Sequence, residues 1–240
     1  MASVSPALAV VAASLAVLAA AVSGCATTQD SNKRISVRFD RTLASRKPLE
    51  LRGTDPNVKV ARTAVVDGKH GSAIVVVLRN TGEEPVNDLP IEVGPRGGSP
   101  LNTAANVPYF QSHAPAIAPG AEVTWVYASK DPIGSSEAFA RVGRPSSPPL
   151  TTAGHVSELE ASGKSGGSGV KAEVTNDTGV PQYDLDVYAV ALRGGRYVAA
   201  GRASLEHLGV SKSAHVTLPL AGGDAKGTRI QVFAPQTLFQ

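Results

Sequence analysis

Between residues 58 and 234 apolar and polar side chains alternate with a period of two, in short bursts broken by Gly, Pro and Asn. Ile74, Val76 and Leu78 form one burst and Val170, Ala172 and Val174 another, the pattern of a strand with one face buried. Laid against itself with a shift of 96 residues, the chain brings these two bursts into register without a gap. Asn80 then falls on Asn176, Pro85 on Pro181, Asp88-Leu89 on Asp184-Leu185, and Ile91 on Val187. The shared string is Asn-x4-Pro-x2-Asp-Leu-x-[Ile/Val]. It describes a turn opened by an Asn and containing Gly82 or Gly179, with Pro where the next strand begins and a missing N–H costs least. Val60 matches Val156 at the same shift, and Val123-Thr124 matches Val216-Thr217 at a shift of 93. The repeat predicts the same elements twice: strands near 58–66, 73–79, 86–93, 107–111, 121–128 and 137–142, then near 155–161, 170–175, 183–193, 196–205, 213–220 and 228–234.

Composition agrees with short strands. Hydrophobic residues make up 42% of the 240, but aromatics only 5%, so Val, Leu, Ile and Ala must fill the core; 24 Gly and 17 Pro supply turns. The expected fold is all-β: two tandem immunoglobulin-like β-sandwich domains, 35–143 and 155–240, joined by a Pro/Ser-rich linker at 144–154. A pair of small barrels is the alternative. In the second unit Asn176-Asp177-Thr178-Gly179 leads through Asp184-Leu185-Asp186-Val187-Tyr188-Ala189-Val190-Ala191-Leu192 to a Gly-Gly hairpin and a final Val-Thr-Leu strand. This resembles the FxLYD-type domains of bacterial surface lipoproteins, and the resemblance implies an immunoglobulin-like module without chemistry of its own.

A different pattern precedes the alternation. Ala7 to Val22 is sixteen uncharged residues, shorter than the roughly 20 a membrane-crossing helix needs, and it closes on Val22-Ser23-Gly24-Cys25. That tetrapeptide resembles the lipobox of bacterial lipoproteins. The resemblance implies that Cys25 receives a diacylglyceryl thioether and becomes the first residue of the mature chain, after a signal peptide at 1–24 and before a tether at 25–34. The expected location is extracytoplasmic, on the outer face of the bacterial cell membrane. No Lys or Arg precedes Ala7, where signal peptides usually carry one. Cys25 is the only cysteine, so no disulfide holds the fold within the chain.

Charge and motifs add few function classes. A net charge of +3, from 23 basic and 20 acidic residues with no run of five like charges, argues against a nucleic-acid partner. Gly163-Lys164-Ser165-Gly166-Gly167 satisfies the Gly-x-Ser-x-Gly string of hydrolases, but it falls between two expected strands, where a hairpin accounts for it. His70, His113, His155, His207 and His215 lack ligand spacing, and no metal or cofactor is expected. Asp184 and Asp186 share a strand face and are expected to point to solvent; Asn176-Asp177-Thr178 is a glycosylation sequon, ordinarily silent in a bacterium. The first unit alone carries a long excursion from Gly94 to Asn106, ending in Val107-Pro108-Tyr109-Phe110. Because binding tends to reside in long loops over rigid sheets, Tyr109, Phe110, His113 and Trp125 are the candidate contact surface, with a core role as the competing reading for Phe110 and Trp125. These features point to a non-enzymatic binding or structural module of the cell envelope. Its partners would be the membrane, through Cys25, and an envelope protein or polymer; a surface-tethered hydrolase or small-molecule carrier is the alternative.

Overall fold

Thirteen β-strands and no helix occur among the described residues of the computed structural model, which are 51, 53–96, 110–145, 160–165 and 169–237, with backbone alone described at 110 and 111. All of them belong to one compact unit, Leu49–Gln240. The first repeat contributes β1 (Val58–Gly68), β2 (Gly71–Asn80), β3 (Leu89–Pro95), β4 (Phe110–Ala114), β5 (Glu122–Ser129) and β6 (Ala138–Val142). The second contributes β7 (Glu160–Ser165), β8 (Gly169–Thr175), β9 (Gln182–Arg193), β10 (Arg196–Leu208), β11 (Ser213–Pro219), β12 (Ala221–Gly222) and β13 (Arg229–Phe233). The two-residue β12 has no counterpart in the sequence pattern, and β4 and β7 overlap the strands expected near 107–111 and 155–161 only at their last two residues, with 107–109 and 155–159 outside the described residues.

The strands form four antiparallel sheets, and the pairing order repeats with the sequence. In the first repeat β1-β2-β5 form one sheet and β4-β3-β6 another; in the second, β7-β8-β11 and β10-β9-β13 have the same two orders, with β12 added beside β10. The shared Asn explains much of this. Asn80 and Asn176 are fully buried. Asn80 Nδ2 donates to the carbonyls of Glu84 (2.7 Å) and Ile117 (3.2 Å), while its Oδ1 accepts the Gly82 N–H (2.9 Å). Asn176 Nδ2 donates to the carbonyls of Val180, Leu208 and Gly209, and its Oδ1 accepts from the N–H and hydroxyl of Thr178. Each amide thus supplies, inside the fold, the partners that a turn would otherwise seek in water. Eight residues further on, Asp88 (φ 50°) and Asp184 (φ 46°) both adopt the left-handed conformation, which Asp tolerates better than most residues. In the first repeat Val86 makes only an isolated bridge to Ile117, and β3 begins at Leu89, three residues later than the alternation suggests.

Two apolar clusters fill the unit, and one is shared. Val187, Ala189 and Ala191 of β9 face Val170, Ala172, Val174 and Leu218 within the second repeat. The intervening Tyr188 and Val190, with Ala200 and Ala221, join the cluster built from the first repeat around Ile74, Ile91 and Trp125. The β12-β10-β9-β13 sheet is therefore covered on both faces, by β11-β8-β7 on one side and by β1-β2-β5 on the other. The same cover accounts for β2, where Ala73 to Leu78 are all buried. The sequence pattern implies a half-buried strand through Ile74, Val76 and Leu78; Val75 and Val77 lie on its other face and are buried by the second repeat. Small residues let these sheets approach closely. A Cβ on Gly68 would lie 2.4 Å from the Gly222 backbone, and one on Gly222 (φ +103°) would lie 2.7 Å from a Val66 methyl. The His70 N–H bonds the Gly222 carbonyl at 3.2 Å across this seam.

Candidate functional site

The expected contact surface does not assemble from its described members. Trp125 sits in β5 opposite Val76, is fully buried in the shared cluster, and so presents no surface; the core reading of this residue holds. His113 lies on β4, in another sheet, and is half-exposed. Phe110 begins β4 and its side chain is outside the description, while Tyr109, the loop residues 97–106 and Cys25 lie outside the described residues altogether.

His113 belongs instead to a group the sequence did not bring together. Its Nδ1 lies 3.5 Å from Asp88 Oδ1, and both border a cavity of about 170 Å³ where the two repeats meet. Asp184, Asp186 and the buried Gln236 line the opposite side. The two left-handed Asp residues of the repeat therefore end at one cavity.

Asp186 does not point freely to solvent as expected. It occupies the β9 face that carries Tyr188 and Val190, turned toward the first repeat, and burial raises its carboxyl above the ordinary range. The positive charge of Arg202 and a hydrogen bond from the Tyr188 hydroxyl (3.2 Å) oppose that shift, and the Asp184 carboxylate adds to it. Tyr188 is itself fully buried, and desolvation followed by the Asp186 charge holds its phenol protonated well past its usual value. Among the described residues no three His, Cys, Asp or Glu side chains are placed to hold a metal ion. The cavity can offer carboxylate acceptors and one imidazole.

The motifs singled out as catalytic or modifiable have packing roles. Gly163-Lys164-Ser165 forms the end of β7 rather than a hairpin loop. A Cβ on Gly163 would come within 2.7 Å of methyl groups of both Val170 and Val232, so a larger residue here would have to displace those side chains where β13 lies against β7. Ser165 Oγ donates to the Ala225 carbonyl at 3.4 Å, and the buried amide of the Asn176 sequon is occupied by its turn.

Beside Gly163 the second repeat is open. Thr63 in β1 pairs with Val76, and Gly163 in β7 pairs with Ala172, 96 positions after Val76; Ala138 pairs with Pro95, and Ile230 pairs with Ala191, 96 positions after Pro95. Where Thr63 Oγ1 reaches across to the Ala138 carbonyl (3.1 Å), Gly163 and Ile230 instead border an open groove of about 550 Å³. One signal for the Asp cluster was legible in advance, the identical Asp-Leu in both repeats; the left-handed turn that aims those carboxylates was not. No protein-family model matches the chain, and a comparison with curated proteins found no match.

Proposed function

We propose that the chain is an extracytoplasmic lipoprotein, anchored by acylated Cys25 to the outer face of a bacterial cell membrane. Its two repeats serve as immunoglobulin-like sandwiches that bind or brace a component of the envelope without catalysing a reaction. The observation that carries this reading is Val22-Ser23-Gly24-Cys25 at the close of the uncharged run Ala7 to Val22. Two or more acyl chains on one residue give stable attachment, since each buried methylene contributes about 0.8 kcal/mol. No helix among the described residues is long and apolar enough to cross a membrane. The non-enzymatic part draws support from the packing roles of Gly163, Ser165 and Asn176, the residues that had suggested chemistry or modification.

Detergent phase separation of cells expressing the full chain tests the anchor. The wild-type protein should enter the detergent phase and carry the mass of a diacylglyceryl group at Cys25, while Cys25→Ser should move to the aqueous phase or keep its first 24 residues. Equal partitioning of the two with an unmodified sulfur would overturn the proposal.

A further inference from the structure

Six cations crowd one end of the second repeat. Arg193 and Arg196 are direct cross-strand partners on either side of the Gly194-Gly195 turn, and Lys164 and Lys171 are direct partners at the β7–β8 hairpin. Arg229 pairs with Leu192 beside them, and Lys226 lies in the turn before β13. All six are exposed. The turns that carry them are tied together: Ser165 Oγ bonds the Ala225 carbonyl, and Arg193 Nη2 donates to the carbonyls of Asp224 (3.2 Å) and Lys226 (3.0 Å). Two carboxylates stand near them in the described residues, Glu173 beside the lysine rung and Asp224 in the turn before β13. The Lys226 N–H holds the Asp224 carboxyl below the usual range, with Lys69, Arg193 and Lys226 charges adding to that effect. Like charges directly opposite one another weaken a sheet, and here two such rungs stand on adjacent sheets.

The other end carries both signs with carboxylates in excess, since Lys59 and its cross-strand partner Arg79, and Lys212, also lie there. Glu83, Glu84 and Asp88 occupy the Asn80 turn, and Asp177 and Asp184 the Asn176 turn. The chain also enters there, since the Asn57 carbonyl accepts the Thr81 N–H beside the Asn80 turn. β1 therefore starts from this acidic end, opposite the basic one.

We infer that this basic end binds an extended, non-nucleic anionic polymer whose charges are phosphate groups. The inference rests on the proposed role as an envelope-binding module and names its partner class. Charge complementarity is the first reason. The second is spread: the cations sit on two stacked sheets, whose separation of about 10 Å exceeds what one small anion can bridge. The third is the paired arginines: the Arg196 guanidinium can donate to two phosphate oxygens at once, and Arg193, whose Nη2 already bonds the Asp224 and Lys226 carbonyls, adds its charge beside it.

Binding of the full-length, detergent-solubilised chain to long-chain inorganic polyphosphate tests this across a salt series. With six cations engaged, the logarithm of the association constant should fall against that of the salt concentration with a slope of about −4. Arg193→Gln with Arg196→Gln should flatten the slope by about a third and weaken binding at least tenfold. Arg193 also braces a turn, so Lys164→Gln with Lys171→Gln, which removes no hydrogen bond to the fold, should give a loss of similar size. Lys59→Gln with Lys212→Gln, at the acidic end, should change nothing. Absent binding, or binding that ignores the four basic-end substitutions, would overturn the inference. So would phosphatidylglycerol vesicles being bound with the same cation dependence while polyphosphate is not, because that outcome assigns the face to a membrane. Solution binding does not depend on acylation, and detergent partitioning of the same preparation reports the anchor separately.

Discussion

β2 and β8 are the same strand of the repeat, and they live in different surroundings. Positions buried in both, Ile74, Val76 and Leu78 against Val170, Ala172 and Val174, face the core of their own repeat. Between them β2 carries Val75 and Val77, 1% and 5% exposed, where β8 carries Lys171 and Glu173 in water. The backbone pairings are equivalent, so the difference comes from what lies on the outer face: the second repeat's sheet over β2, solvent over β8. Strand identity follows the alternating positions, and the residues between them record the neighbour.

Exchanging those residues should break the comparison most sharply. Val75→Lys places an unpaired charge between two sheets and should cost about 4 kcal/mol in urea unfolding, whereas Lys171→Val should change stability by less than about 0.5 kcal/mol. Equal effects would mean that the two strands are not differently covered. The buried amides come next. Asn176 serves three carbonyls and Asn80 two, so Asn176→Ala should cost about 3 kcal/mol and Asn80→Ala about 2 kcal/mol, with an unchanged dependence on urea concentration. A reversed order would show that the two turns are not held alike.

The smallest expected effect concerns Asp186, which stands where the first repeat has Pro90. Its folded-state pKa is raised by burial, so the native protein binds this proton more tightly than the unfolded chain does. Stability from this group is present below the ordinary carboxylate value and declines as pH rises through the raised one. Asp186→Asn should remove that decline between mildly acidic and neutral solution. A wild-type profile that rises over that interval because of Asp186 would contradict its placement against the first repeat.

The strands were legible because turn chemistry and alternation agreed: Asn80, Pro85 and Leu89 predict the same turn and strand as Asn176, Pro181 and Leu185. The double cover of β2 was also written in the chain, as the unbroken run Ala73 to Leu78, yet such a run does not name what lies on its second face. The contact surface was harder to read. Trp125 carries a side chain suited equally to binding and to a core, and pairing with Val76 in a sheet covered on both faces settles it as core. The Asp88, His113, Asp184 and Asp186 cluster joins residues up to 98 positions apart, and it depends on left-handed dihedrals that no periodicity encodes.

The glycine seam between Gly68 and Gly222 bears on how a doubled chain of this kind ages. Backbone meets backbone at this seam while side chains such as Val75 and Tyr188 fill the rest of the shared face, so neither copy can be cut away without baring an oily wall to water. Nor can the seam drift residue by residue, because the first methyl group added to either side wedges the sheets apart. The duplication has become a ratchet: the copies remain free to diverge on their outer faces, but not to part.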